Sequence, residues 1–205
     1  QIHIIENNLR TRDYTFDYEK QPSRAMFKYK QAFIRNDQER YMTFLNNVLQ
    51  GKATLHADNV APYELIRPYM TWNWNGPSLE TMSKSEKDAL NASWASLLDF
   101  CSDEDMLAVV DTSGSMHSSY GLPAAVALSL GLYLAEHNKG RFRNHFIEFS
   151  ERPQLIRLKG ETFVDKLRYI LTFDEIADTN LEAVFQLILC VAVKNKLPQK
   201  ELPGK

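Results

Sequence analysis

Asp111, Ser113 and Ser115 stand at alternate positions in "VVDTSGSM", where the apolar run "MLAVV" gives way to polar residues. One carboxylate and two hydroxyls on a loop leaving a strand can converge on a single point, and they offer only oxygen atoms. That set suits a hard cation. Magnesium favours near-octahedral oxygen coordination, keeps several waters and is often held by one or two carboxylates with a ligand's own oxygens. With neutral hydroxyls completing its protein ligands, the ion stays electron-poor and attracts an anion. A second oxygen-rich stretch, "DTN" at 178–180, again lies directly before an apolar segment of helical length.

The elements around these loops place them. "MLAVVD" is a continuous apolar run of strand length, which predicts a strand buried on both faces of a parallel sheet. "GLPAAVALSLGLYLAEHN" follows as a helix apolar on most sides and stopped by "NKG". "HFIEFS" and "PQLIRL" read as strands, Glu161 to Ile170 as a helix, and "DTNLEAVFQLILCVAVKN" as a closing helix with Thr179 or Asn180 at its N-cap. This order predicts an open, Rossmann-like α/β sheet, in which ligands bind beyond the carboxyl ends of the strands, where Asp111 falls.

Before residue 100 the pattern is helical. "PSRAMFKYKQAFIRN" carries a proline near its first turn and apolar residues at helix spacing. A second helix is expected from Asp37 through Leu49, stopped by Gly51. "DNVAPYELIRPYM" reads as a short helix starting at Asp58 or Asn59 and ended or kinked by Pro68. "TWNWNGPS" reads as a loop, and "SKSEKDALNASWASLLDF" as a helix with Ser83 and Glu86 forming a capping box. The expected division is therefore an α-helical region over 1–100 and an α/β region over 101–205.

Composition narrows the classes. The 205 residues are 44% hydrophobic with a net charge of −2, and both halves are near neutral, with 12 basic and 12 acidic residues in the first hundred and 12 and 14 in the rest. No basic footprint of a dedicated nucleic-acid binder is present. Cys101 and Cys190 stand far apart with no CxxC spacing, so neither a disulfide framework nor a zinc site is expected, and a reducing, cytoplasmic setting is the default. The apolar stretch from Leu122 to Ala135 is shorter than the roughly 20 residues that span a bilayer, so no membrane helix is expected. The start "QIHIIENN" lacks the features of a signal peptide and reads as internal to a longer protein. No internal repeat or low-complexity tract is evident.

On these residues the chain resembles a known domain. "VVDTSGSM" is similar to the first loop, D-x-S-x-S, of the metal-ion-dependent adhesion site of von Willebrand factor A domains, and "DTN" to that family's second loop with its metal-facing threonine. The resemblance implies Asp111, Ser113, Ser115 and Thr179 as ligands of Mg2+, or of another divalent cation such as Mn2+ or Ca2+. It further implies a binding module that takes an acidic side chain of a partner protein. "PSRAMFKYKQAF", "PYELIR", "FIEFSERPQLIRLKGET" and "TNLEAVFQLIL" also resemble an uncharacterised family of bacteria, plants and giant viruses. Its members join a helical region to such a domain, much as the Ro ribonucleoproteins do. That arrangement implies an alternative in which the helical half binds RNA and the metal site is secondary. The adhesion-site family supplies a third loop, with an aspartate, after a fourth strand; that loop is expected beyond Lys205, and the strand carrying Asp111 should then show an exposed apolar edge.

Other residues are read structurally. His117 is expected to face solvent, two of Asp174, Glu175 and Asp178 to be solvated loop carboxylates, "KGRFR" at 139–143 to be a solvated connection, and Trp72, Trp74 and Trp94 to pack. Arg24, Lys28, Lys30, Arg35 and Arg40 alternate with Phe27, Tyr29, Phe33 and Tyr41; helical spacing gives the rings to the core and the charges to water. "GSM" at 114–116 is not the G-x-S-x-G of a hydrolase, and no His/Asp set stands ready to activate a serine. An enzyme is not expected.

Overall fold

The structure is a computed structural model that describes residues 4–70, 77–101, 105–173 and 178–197. Two compact units result: one built from the chain up to Ala61 and from Pro77–Leu98, the other from the segment beginning at Pro62 and the chain from Asp99 onward. "TWNWNG", with Trp72 and Trp74, lies outside the described residues, as do Asp174 and Glu175.

The first unit is helical. It contains α1 (Ile5–Thr11), α2 (Ser23–Asn36), α3 (Gln38–Leu49) and, after α4 (Pro62–Ile66) has joined the other unit, α5 (Lys84–Ala95). Helix α5 starts where Ser83 accepts the Glu86 amide while the Glu86 carboxylate accepts the Ser83 amide, as the spacing predicts. Gly51, at φ +69°, follows α3 in the left-handed conformation that ends helices. The core is aromatic: the rings of Tyr18, Phe33 and Tyr41 lie 5.2 Å from one another between centroids. Trp94 is buried, in line with a packing role. The Tyr18 hydroxyl donates to Asp37 at 2.8 Å, and Arg40 meets the same carboxylate at 3.0 Å. Burial, followed by the Asp37 carboxylate, pushes the Tyr18 phenol well above its ordinary range.

The second unit is mixed α/β. Its order is α4, a 3-10 turn at Arg67–Tyr69, β1 (Ala108–Asp111), α6 (Ser118–His137), β2 (His145–Phe149), β3 (Gln154–Arg157), α7 (Phe163–Ile170) and α8 (Leu181–Lys194). The sheet order is β1-β2-β3. Strands β1 and β2 run parallel with Asp111 opposite Phe149, but β2 and β3 run antiparallel with Glu148 opposite Gln154. The expected all-parallel sheet is thus mixed. Only residues 150–153 separate β2 from β3, which is hairpin length and too short for the crossover a parallel pair needs.

Strand β1 departs from the expectation of two buried faces. Its place at the edge of the sheet, among the described residues, is the one expected, but only one face is covered: Val110 is buried and Val109 is 43% exposed. Helix α6 covers the Val110 side so closely that a Cβ at Gly131 would overlap the Val110 methyl. Residues 114–137 are long and apolar enough to cross a membrane by length and composition alone. In the structure, however, Ala124, Ala125, Leu128 and Leu132 of α6 are fully buried in the core of this unit. Before the helix proper, Ser119, Tyr120 and Gly121 are all left-handed, an interruption the sequence reading did not anticipate. The short helix α4 begins at Pro62 rather than at Asp58 or Asn59, and Pro68 turns its end into 3-10 geometry.

The starts of the two parallel strands are tied together. Asp105 accepts the backbone amides of Arg141 and Phe142 at 2.9 and 3.4 Å, and Asn138 donates to the Met106 carbonyl. On α8, Val184 and Ala192 are buried, whereas Leu181, Phe185, Leu189 and Val193 are each more than half exposed at four-residue spacing.

Candidate metal site

Parallel pairing puts the ends of β1 and β2 on one rim, because Asp111 and Phe149 are opposite each other and both close their strands. Beyond Asp111 the chain turns at once. The Asp111 Oδ1 accepts the Ser113 amide at 2.8 Å, an Asx turn, and Gly114–His117 follow as a single 3-10 turn in which the Met116 amide donates to the Ser113 carbonyl. Alternation then sorts the side chains. Thr112 is buried and donates to the Phe173 carbonyl at 3.2 Å, while Ser113 and Ser115 bring their Oγ atoms to 3.2 Å of each other. His117 is half-buried, partly open to solvent as expected, with Nε2 3.2 Å from the Thr112 carbonyl oxygen.

The second loop is anchored to the same rim at both ends. Phe173, which precedes it, accepts from Thr112; Asn180, which follows Thr179, donates its amide at 3.2 Å to the carbonyl of Ser150, the residue after β2. Asn180 is also the N-cap of α8, its Oδ1 accepting the Ala183 amide at 3.0 Å, which resolves the choice between Thr179 and Asn180. Asp178 and Thr179 are exposed. The structure therefore gathers Asp111, Ser113 and Ser115 in one turn and sets Thr179 on a neighbouring loop of the same rim.

The donor set fits a hard cation. For a metal–oxygen distance of about 2.0–2.1 Å, adjacent ligands of an octahedron lie about 2.8–3.0 Å apart, close to the separation of the two serine hydroxyls. Among the described residues no group of three or more His, Cys, Asp or Glu side chains comes together to hold a metal. The oxygens that the first loop brings together are one carboxylate and two hydroxyls, those of Asp111, Ser113 and Ser115.

Three residues that shape this rim escaped the sequence reading: Thr112 and Ser150, which anchor the second loop, and Glu148. Glu148 is buried on β2, accepts the Ser150 hydroxyl at 3.0 Å and lines a hollow of about 470 Å³ together with Arg152, Phe173 and Asp178. A carboxylate in the middle of "HFIEFS" was the available signal. The basic and aromatic residues of α2 and α3 divide only in part as their spacing predicts: Phe33 and Tyr41 are core and Arg24, Lys28, Arg35 and Arg40 are exposed, but Phe27, Tyr29 and Lys30 are half-buried, with the Lys28 and Lys30 ammonium groups 4.9 and 4.8 Å from the ring centres of Tyr29 and Phe27.

The fold is thus a helical unit and a mixed α/β unit with an oxygen-lined rim. Residues 1–107 match the family described as Domain of unknown function (DUF2828), and this match covers more than half of the chain, so the chain belongs to that family. Residues 105–203 match a second, Domain of unknown function (DUF7788). Over 98% of its length the chain is similar, at 28% identity, to an uncharacterized protein of Acanthamoeba polyphaga mimivirus. It spans 36% of that curated relative. No solved structure matches the chain.

Proposed function

We propose that the rim at the ends of β1 and β2 binds a divalent cation, Mg2+ or in its place Mn2+ or Ca2+, and through it a carboxylate of a partner protein. The second unit is then a von Willebrand factor A-like module with a metal-ion-dependent adhesion site. The observation that supports the reading is the turn after β1, where an Asx bond at Asp111 holds Ser113 and Ser115 with their hydroxyls in hydrogen-bond contact at 3.2 Å, slightly wider than neighbouring ligands on one small ion and near enough to meet on it. Asp111 would supply the charge, Ser113 and Ser115 two neutral oxygens, and Thr179 a further one from the second loop. A single carboxylate leaves the bound ion net positive, which favours an anionic ligand over a neutral one. The RNA-binding alternative has less to stand on, since Phe33 and Tyr41 are buried and unable to stack on bases.

Calorimetric titration with Mg2+ tests the site. The wild-type chain should bind, and Asp111→Ala should weaken binding by more than the roughly 10–100-fold that loss of an outer-shell contact costs. An Asp111→Ala variant with wild-type affinity would remove the assignment.

A further inference from the structure

Two buried hydroxyls in the first unit lack a protein partner. Ser23, the first residue of α2, is 5% exposed, and Tyr41, on α3, is 2% exposed. Neither side-chain oxygen makes a hydrogen bond among the described residues, although most buried polar groups in folded proteins are satisfied by protein or by ordered water. Both residues line the same small hollow, with His56 and Ser93 completing its polar wall and Met26 and Leu55 among its apolar neighbours. The space open to the centre of a water molecule is about 10 Å³, at the lower bound for one water and too small for anything larger. Ser93 already donates its hydroxyl proton to the Ala89 carbonyl at 2.8 Å and keeps lone pairs to accept with.

We propose that this hollow is a binding site for a single structural water that bridges the Ser23 and Tyr41 hydroxyls. In that bridge Tyr41 donates to the water, Ser23 donates or accepts, and Ser93 accepts. A bound water needs two to four polar partners, and the wall supplies them. The bridge would join α2, α3 and α5 through one molecule, and a cavity with only apolar walls would stay dry. The site is independent of the metal rim and stands whether or not that rim binds a cation.

Two measurements on the whole chain decide it. Crystallographic density should show one water within hydrogen-bond distance of both oxygens; a hollow without such density overturns the proposal. In urea titrations Tyr41→Phe and Ser23→Ala should each lower the unfolding midpoint, and the double variant should fall by less than the sum, because both act on one shared water. Midpoints that hold or rise in the single variants would show that the hydroxyls were simply buried unpaired, and strictly additive losses would show that they share no water. Either result sinks the bridge.

Discussion

The two units bury their apolar residues in different ways. In the first, Phe33 and Leu45 are fully enclosed and the aromatic rings pack on one another; the large apolar residues left in water, such as Leu49 and Leu98, are scattered. In the second, Phe100, Tyr120 and Leu130 are likewise scattered, but part of the exposed set is ordered. Leu181, Phe185, Leu189 and Val193 form a stripe along α8, and Val109 is exposed on the edge strand. Isolated exposed leucines need no explanation, whereas a periodic stripe marks a surface with a packing or binding role. The contrast shows that amphipathic pattern and burial are separate facts: α8 carries apolar residues on more of its circumference than its neighbours cover.

The comparison can be broken from either side. Phe33→Ala should be the most damaging change, costing about 3–5 kcal/mol, because it opens a cavity among rings that cannot collapse into it. Hydrogen exchange should then quicken across α2, α3 and α5. Gly131→Val should cost about 1–3 kcal/mol by forcing α6 away from Val110, with faster exchange in β1 and β2; unchanged exchange there would mean that the contact does not hold the sheet. Phe185→Glu with Leu189→Glu should change stability by no more than about 0.5 kcal/mol per site while raising the concentration at which the chain remains monomeric in light scattering. A large loss of stability in that variant would show that the stripe is covered.

Much of this architecture was legible before any coordinates. The box of Ser83 and Glu86, Gly51 after α3 and the polar "DTN" before α8 each state local chemistry that no tertiary contact had to override. The left-handed run at Ser119–Gly121 was not legible, because two of its three residues have side chains that disfavour positive φ. Helix α1 was missed for a different reason: it is short and polar and is held partly from outside, by the Tyr29 hydroxyl donating to Glu6 at 2.7 Å. The apolar run at β1 fixed a strand but not its surroundings, since "MLAVV" reads alike at a sheet's centre and at its rim. For the site, the first-loop oxygens followed from spacing, whereas the anchoring of the second loop depends on the Thr112 hydroxyl and the Ser150 main-chain carbonyl, whose partners lie about 30 or more positions away.

A hairpin sets its register through its turn, but a parallel pair has no turn to do so. Here one side chain takes that task. Asp105 lies three residues before β1, and the amides it accepts belong to Arg141 and Phe142, just ahead of β2. The carboxylate therefore aligns the two strands at their entrance, a pairing of Ala108 with Phe146 that then runs on to Asp111 and Phe149. A slip of one residue would turn Val110 outward and carry Asp111 away from its rim, so a single acidic side chain at the bottom of the sheet keeps the geometry at its top in phase.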